Sequence, residues 1–186
     1  MSAKYFLDIR DPNVNLQLEA LTKAINGEDP LPCALLCAAY IDKCLQEILE
    51  LVFVKGGTAK SLLKPDRGLL GGLRNRAQIA YLMGRIEDTV LTNIERICEI
   101  RNLFAHSHEP LTFDSESVVK LCDLIKPPVP HVTVSDIPES EFAELNRMLG
   151  ASRFRFTSAA INCLTHLIFV ALQLRNEKTD SERRSS

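Results

Sequence analysis

Glu87-Asp88-Thr89-Val90-Leu91-Thr92-Asn93-Ile94-Glu95-Arg96-Ile97-Cys98-Glu99-Ile100-Arg101-Asn102-Leu103-Phe104-Ala105-His106-Ser107 reads as one amphipathic helix, and its reading sets the fold class. At about 100° per residue, Val90, Ile94, Ile97, Cys98, Arg101, Phe104 and Ala105 share an arc, which places a guanidinium in the middle of an apolar stripe. Arginine cannot be neutralised inside a protein, so a buried Arg101 needs a carboxylate, a partner chain or a wet cavity. Glu95, Glu99, Asn102 and His106 lie on the adjacent polar face, with Asn102 and His106 one turn apart and able to touch. Arg101 and His106 stand about 140° apart on a straight helix. They cooperate only if the helix unwinds near His106 or a second copy of the chain supplies one of them.

Upstream, Leu31 to Lys55 predicts a long apolar helix with Ala34, Ala38, Ile41, Leu45, Ile48, Leu49 and Val52 on one face and Asp42 on its rim. Asp42 is therefore the first candidate partner for Arg101, with Glu95 a further acidic group of the same neighbourhood. A helix capped by Asn13 or Asn15 runs to about Asn26 before it. After it come a short helix over Thr58 to Lys64, a turn at Pro65 to Gly68, and a helix over Leu73 to Met83 with Ile79, Leu82 and Met83 inward. Gly68-Leu69-Leu70-Gly71-Gly72 matches neither the dinucleotide fingerprint nor the P-loop and reads as a flexible or closely packed turn.

Downstream, helices are expected over Glu116 to Ile125, Pro138 to Met148, and Ser152 to about Asn176, with the prolines after Lys126 running extended. The last helix, with Phe156, Ala160, Ile161, Leu164, Leu167, Ile168, Ala171 and Leu172 on a wide face, suits the centre of a core. The expectation is an all-α, single-domain bundle of about six to eight helices over residues 13–176, joined by short irregular or extended connections. Residues 1–12 form an N-terminal extension and 177–186 a disordered charged tail.

A net charge of -2 gives no global attraction to nucleic acid, and no segment clusters lysine and arginine for phosphate tracking. Arg74, Arg76 and Arg85 are the candidates for local phosphate contacts. Charges interrupt the longest apolar stretches, so no membrane span is expected and the chain reads as cytoplasmic. The six cysteines fall mostly on apolar helical positions and read as reduced core thiols. Cys33 and Cys37, one turn apart, lack the second pair that a zinc site needs; neither metal nor cofactor is expected.

Several blocks occur in a specific order: Ala38-Ala39-Tyr40-Ile41-Asp42; Gly71-Gly72-Leu73-Arg74-Asn75-Arg76 with Ala80 to Ile86; Ile97 to Ser107; Leu111-Thr112-Phe113-Asp114; and Arg153-Phe154-Arg155-Phe156. Together they resemble the mannitol operon repressor (MltR-like) family over roughly residues 31–175. That resemblance implies an all-helical domain associated with transcriptional repression of sugar-alcohol uptake genes, in a family without a recognisable helix-turn-helix. The chain is accordingly read as a regulator, a homodimer acting through a protein partner or through weak DNA contacts of its own. Arg101 to His106 also resembles the Arg-x4-6-His motif of the HEPN superfamily, many of whose members are dimeric, metal-independent ribonucleases. Carried over, Arg101 would stabilise phosphate charge, His106 would act as general acid or base on a ribose hydroxyl, and Asn102 would orient one of them. RNA is the partner only in that alternative, and Glu95 and Glu99 would put negative charge where the phosphate docks.

Overall fold

The computed structural model describes residues 19, 21–27, 29–65, 67–127, 147 and 150–184. Asp29 starts the first long helix, its carboxylate accepting from the Leu31 amide at 3.0 Å, and Pro30 fits the first turn because its missing N–H would have no partner there. This helix, α2, spans Pro30–Val52 and follows a short helical segment at residues 21–26, α1. Then come α3 at Gly57–Leu62, α4 at Leu73–Leu82, α5 at Asp88–His106, α6 at Glu116–Asp123 and α7 at Ala151–Arg184. No strand occurs among the described residues, so the protein is all-α and a single domain. The cap expected at Asn13 or Asn15, residues 1–12, and the helix expected over Pro138 to Met148, apart from Arg147, lie outside the described residues.

The core is built on α2 against α7, with α5 packed on both, α4 on α2 and α5, and α6 across α5 and α7. Cys33, Cys37, Ile41, Cys44, Leu45 and Ile48 of α2 meet Phe156, Ala160, Cys163, Leu167 and Ala171 of α7 in one cluster of buried side chains. Each large apolar side chain sealed there contributes about 1.5–3 kcal/mol. Phe104, Phe113 and Phe156 extend the cluster, consecutive ring centres lying 5.2 Å apart and tilted, as aromatic quadrupoles prefer.

Two expected faces turn out differently. On α7, Ile161 and Leu172 are exposed, and Ala159, Cys163 and Leu174 take inward positions beside the expected Phe156, Ala160, Leu164, Leu167 and Ala171. On α4, Leu82 and Met83 are exposed, and the buried residues are Arg76, Ala77 and Ala80. Small alanines let α4 approach α2 closely, and the arginine stem fills the remaining space.

The tail expected from Glu177 onward is helical to Arg184, because Glu, Lys and Arg are good helix formers and no glycine or proline interrupts them. By length and composition Ala151–Asp180 could cross a membrane, but its inward face is spent on α2, α5 and α6.

Short connections position the rest. Gly84 ends α4 with φ +66, a left-handed conformation that costs glycine nothing, and sends the chain back antiparallel as α5. At Gly68 an added Cβ would lie 2.1 Å from the Leu62 carbonyl oxygen, so this glycine turn is closely packed and presents carbonyls inward. A phosphate cradle needs the opposite polarity, amide N–H groups.

Candidate functional site

The polar face of α5 was the expected centre of any chemistry, and the structure first corrects the position of its arginine. Arg101 is exposed, and its Nη1 donates to Asn102 Oδ1 at 2.9 Å. The buried side of α5 is Val90, Asn93, Ile94, Ile97, Ile100 and Phe104. Asn93 and Ile100 rotate that arc away from Arg101, leaving the guanidinium at its edge, where it reaches water.

The expected Arg101–Asp42 ion pair is therefore not formed. Asp42 instead accepts from Arg76 Nη1 through Oδ2 at 2.6 Å, and Arg76 is 1% exposed. Arg76 also donates from Nε to the Leu70 carbonyl at 2.7 Å and from Nη2 to the Leu63 carbonyl at 2.9 Å. Three acceptors surround the guanidinium, which compensates a sealed charge and ties the turn before α4 to α2. Burial pushes the Asp42 carboxyl above its ordinary pKa, opposed by the Arg76 and Arg101 charges. Arg76 is thus no phosphate contact, whereas Arg85 is half-buried and Arg74 exposed.

Arg74 belongs to an open groove of about 670 Å³ lined by Arg74 of α4, Glu99, Asn102, Leu103 and His106 of α5, Ser107 and Leu111 of the following loop, and Ser117 and Leu121 of α6. Asn102 and His106, paired by sequence spacing, thus share one groove. Arg101 does not line it, because α5 stays helical through His106 and keeps the two residues on different sides. Glu99 bridges two arginines, Oε1 to Arg74 Nη2 at 2.8 Å and Oε2 to Arg96 Nη1 at 2.5 Å. Glu95 accepts from Gln78 Nε2 at 3.1 Å and points to the α4 seam.

Two polar residues that sequence reasoning passed over hold the frame of this region. Asn93, 3% exposed, donates from Nδ2 to the Lys126 carbonyl at 3.0 Å and accepts from the Lys126 amide at 2.9 Å, a closed pair that fastens the end of α6 to α5. An amide interrupting an apolar arc was the available signal. Arg153, 8% exposed, donates from Nη2 to the carbonyls of Ala24, Ile25 and Gly27 and lies 5.6 Å from the Phe113 ring centre, capping the end of α1 with a side chain of α7. No local pattern marks a contact spanning more than a hundred residues.

The cysteines are free, and all but half-buried Cys98 are buried. Burial pushes the thiols of Cys44, Cys122 and Cys163 up to about 12, so they stay protonated at neutral pH. Cys33 shifts the other way, held below its usual value by its hydrogen bond with Cys37 and by the Arg153 charge. Among the described residues no three His, Cys, Asp or Glu side chains gather as a metal site would require.

No family profile and no curated protein matches the sequence. Among solved structures, the fold is similar to a chain of the MtlR–HPr complex from Escherichia coli, with a TM-score of 0.58, 18% identity, and coverage of 82% of this chain and 98% of that one. It is also similar to YggD, a possible transcriptional regulator from Shigella flexneri, with a TM-score of 0.56, 11% identity, and coverage of 83% and 97%. At these identities the likeness is one of fold: the chain has the all-helical architecture of these two proteins along nearly their whole length.

Proposed function

We propose that the protein is a transcription regulator of the mannitol operon repressor kind, a cytoplasmic homodimer that acts mainly through contacts with another protein. The observation that carries this reading is the shared architecture with MtlR and YggD, one of them seen in complex with a protein. Charge supports protein contacts over direct DNA binding. The net charge is -2, Arg76 and Arg153 are buried, Arg74 and Arg96 share Glu99, and Arg155 is paired with Asp123. No segment of the sequence clusters lysine and arginine, so no concentrated basic surface is offered to release counterions from a duplex.

The test is a deletion strain with transcript levels measured across sugar-alcohol uptake genes, together with DNA binding by the purified protein at several salt concentrations. The expected outcome is raised uptake transcripts and weak binding with a shallow salt slope. Unchanged transcripts sink the regulatory reading, and tight binding with a steep slope replaces protein contacts by direct DNA recognition.

A second reading, a metal-independent endoribonuclease, draws on Asn102 and His106 facing the same open groove as Arg74. Arg101 would then have to act from outside that groove or from a second copy. Cleavage of single-stranded RNA in the presence of a chelator, abolished by His106→Ala with an unchanged melting temperature, is its signature. No cleavage over a panel of RNAs eliminates it.

A further inference from the structure

Three separate elements bring hydrogen-bond donors without other work to the groove beside α5. Arg74 has five N–H donors, of which one is engaged with Glu99, and its side chain is 45% exposed. His106 is exposed and Ser117 stands in the first turn of α6; among the described residues neither side chain holds a hydrogen-bond partner. The positive end of the α6 backbone dipole lies on the same side as Ser117.

The one carboxylate in the lining, Glu99, has both oxygens taken by guanidiniums, so Arg74, Arg96 and Glu99 together leave one positive charge unanswered. Glu116, next to Ser117, is answered by Lys120 at 2.6 Å.

Leu103, Leu111 and Leu121 give the lining its apolar side chains. A volume of about 670 Å³ lies within the range of small-molecule sites, which combine an apolar lining with a few convergent polar groups.

We propose that this groove binds a phosphate monoester, its phosphate held by Arg74, His106 and Ser117 and its organic part laid along the three leucines. A tetrahedral anion with three terminal oxygens can offer one acceptor to each of α4, α5 and α6. A carboxylate, with two coplanar oxygens, meets fewer of them. The proposal concerns a ligand site and stands apart from the regulatory reading, which survives its failure.

Titration of the full chain with phenyl phosphate, followed by calorimetry and by 31P line broadening, tests it, with inorganic phosphate, benzoate and phenol as comparison probes. The expected result is saturable binding of phenyl phosphate, about tenfold weaker for each of the three probes that lacks the leucine contact, the third oxygen or the charge. Arg74→Ala weakens phenyl phosphate binding by about tenfold or more, since a charge-assisted bond is lost, while Lys60→Ala on exposed α3 leaves it unchanged. Arg74 makes an exposed ion pair only, so its alanine variant keeps the fold, which an unchanged melting temperature verifies. Absence of saturable binding, equal binding of any comparison probe, or full binding by folded Arg74→Ala overturns the proposal.

Discussion

Arg76 and Arg101 both exert their charge on Asp42, yet one is sealed in the α2–α4 seam and the other stands in solvent on α5. By sequence spacing Arg101 falls within a long apolar stripe, whereas α4 shows almost no amphipathic signal around Arg76, so spacing alone ranks them in the wrong order. What decides is the covering element. Leu63 and Leu70, which precede α4, supply two carbonyls, and α2 supplies the carboxylate. A cation is buried where backbone acceptors converge on it, and apolar neighbours along its own helix are a poorer guide.

The largest expected effect breaks the buried side of this comparison. Arg76→Ala removes the partner of Asp42 and leaves the Leu63 and Leu70 carbonyls without their donor, so urea unfolding should show a loss of about 3–5 kcal/mol. Arg76→Met combined with Asp42→Asn takes away both charges and keeps the stem's packing, and should recover a substantial part of that loss. A single variant within about 0.5 kcal/mol of wild type would mean that the seam is open to water.

A smaller effect is expected at Asn93, which has no charge but the same kind of enclosure. Its amide answers both backbone groups of Lys126, and Asn93→Ala strands them at the α5–α6 junction for about 1–3 kcal/mol. The matching measurement is hydrogen exchange at Lys126, whose amide should lose protection in the variant. Retained protection would show that this junction is held by the apolar contacts of Val118 and Cys122 alone.

Much of the architecture was legible because it rests on periodicity. The helix expected from Glu87 to Ser107 is observed as Asp88–His106, and the one beginning near Leu31 starts at Pro30. The glycine turn before α4 was legible too, since its spacing fits no phosphate motif. The inner face of α4 was not, because a ten-residue helix whose buried positions are Arg76, Ala77 and Ala80 has almost no amphipathic signal. At the groove, spacing paired Asn102 with His106, but Arg74 and Ser117 arrive from α4 and α6 through tertiary packing that no local pattern encodes. The arc that buried Arg101 on paper passed over Ile100, 0% exposed, and Asn93, and two such omissions turn a helix face enough to free a long side chain.

Arg101→Ala is the smallest effect and the sharpest side of the comparison. Among the described residues the guanidinium makes one exposed hydrogen bond, to its neighbour Asn102, and Asp42 is already engaged by Arg76 at close range. Surface substitutions of this kind fall within about 0.5 kcal/mol, and the variant should unfold with wild type. Any loss near the Arg76 value would mean that α5 is covered there, for instance by a second copy of the chain, since nothing among the described residues of one copy encloses the side chain. Stability measured against protein concentration separates these cases: a dimer that seals Arg101 unfolds at a concentration-dependent midpoint, and the variant abolishes that dependence. A small loss with no change in concentration dependence leaves Arg101 as a solvent-facing charge beside the groove, available to a partner and idle in the fold.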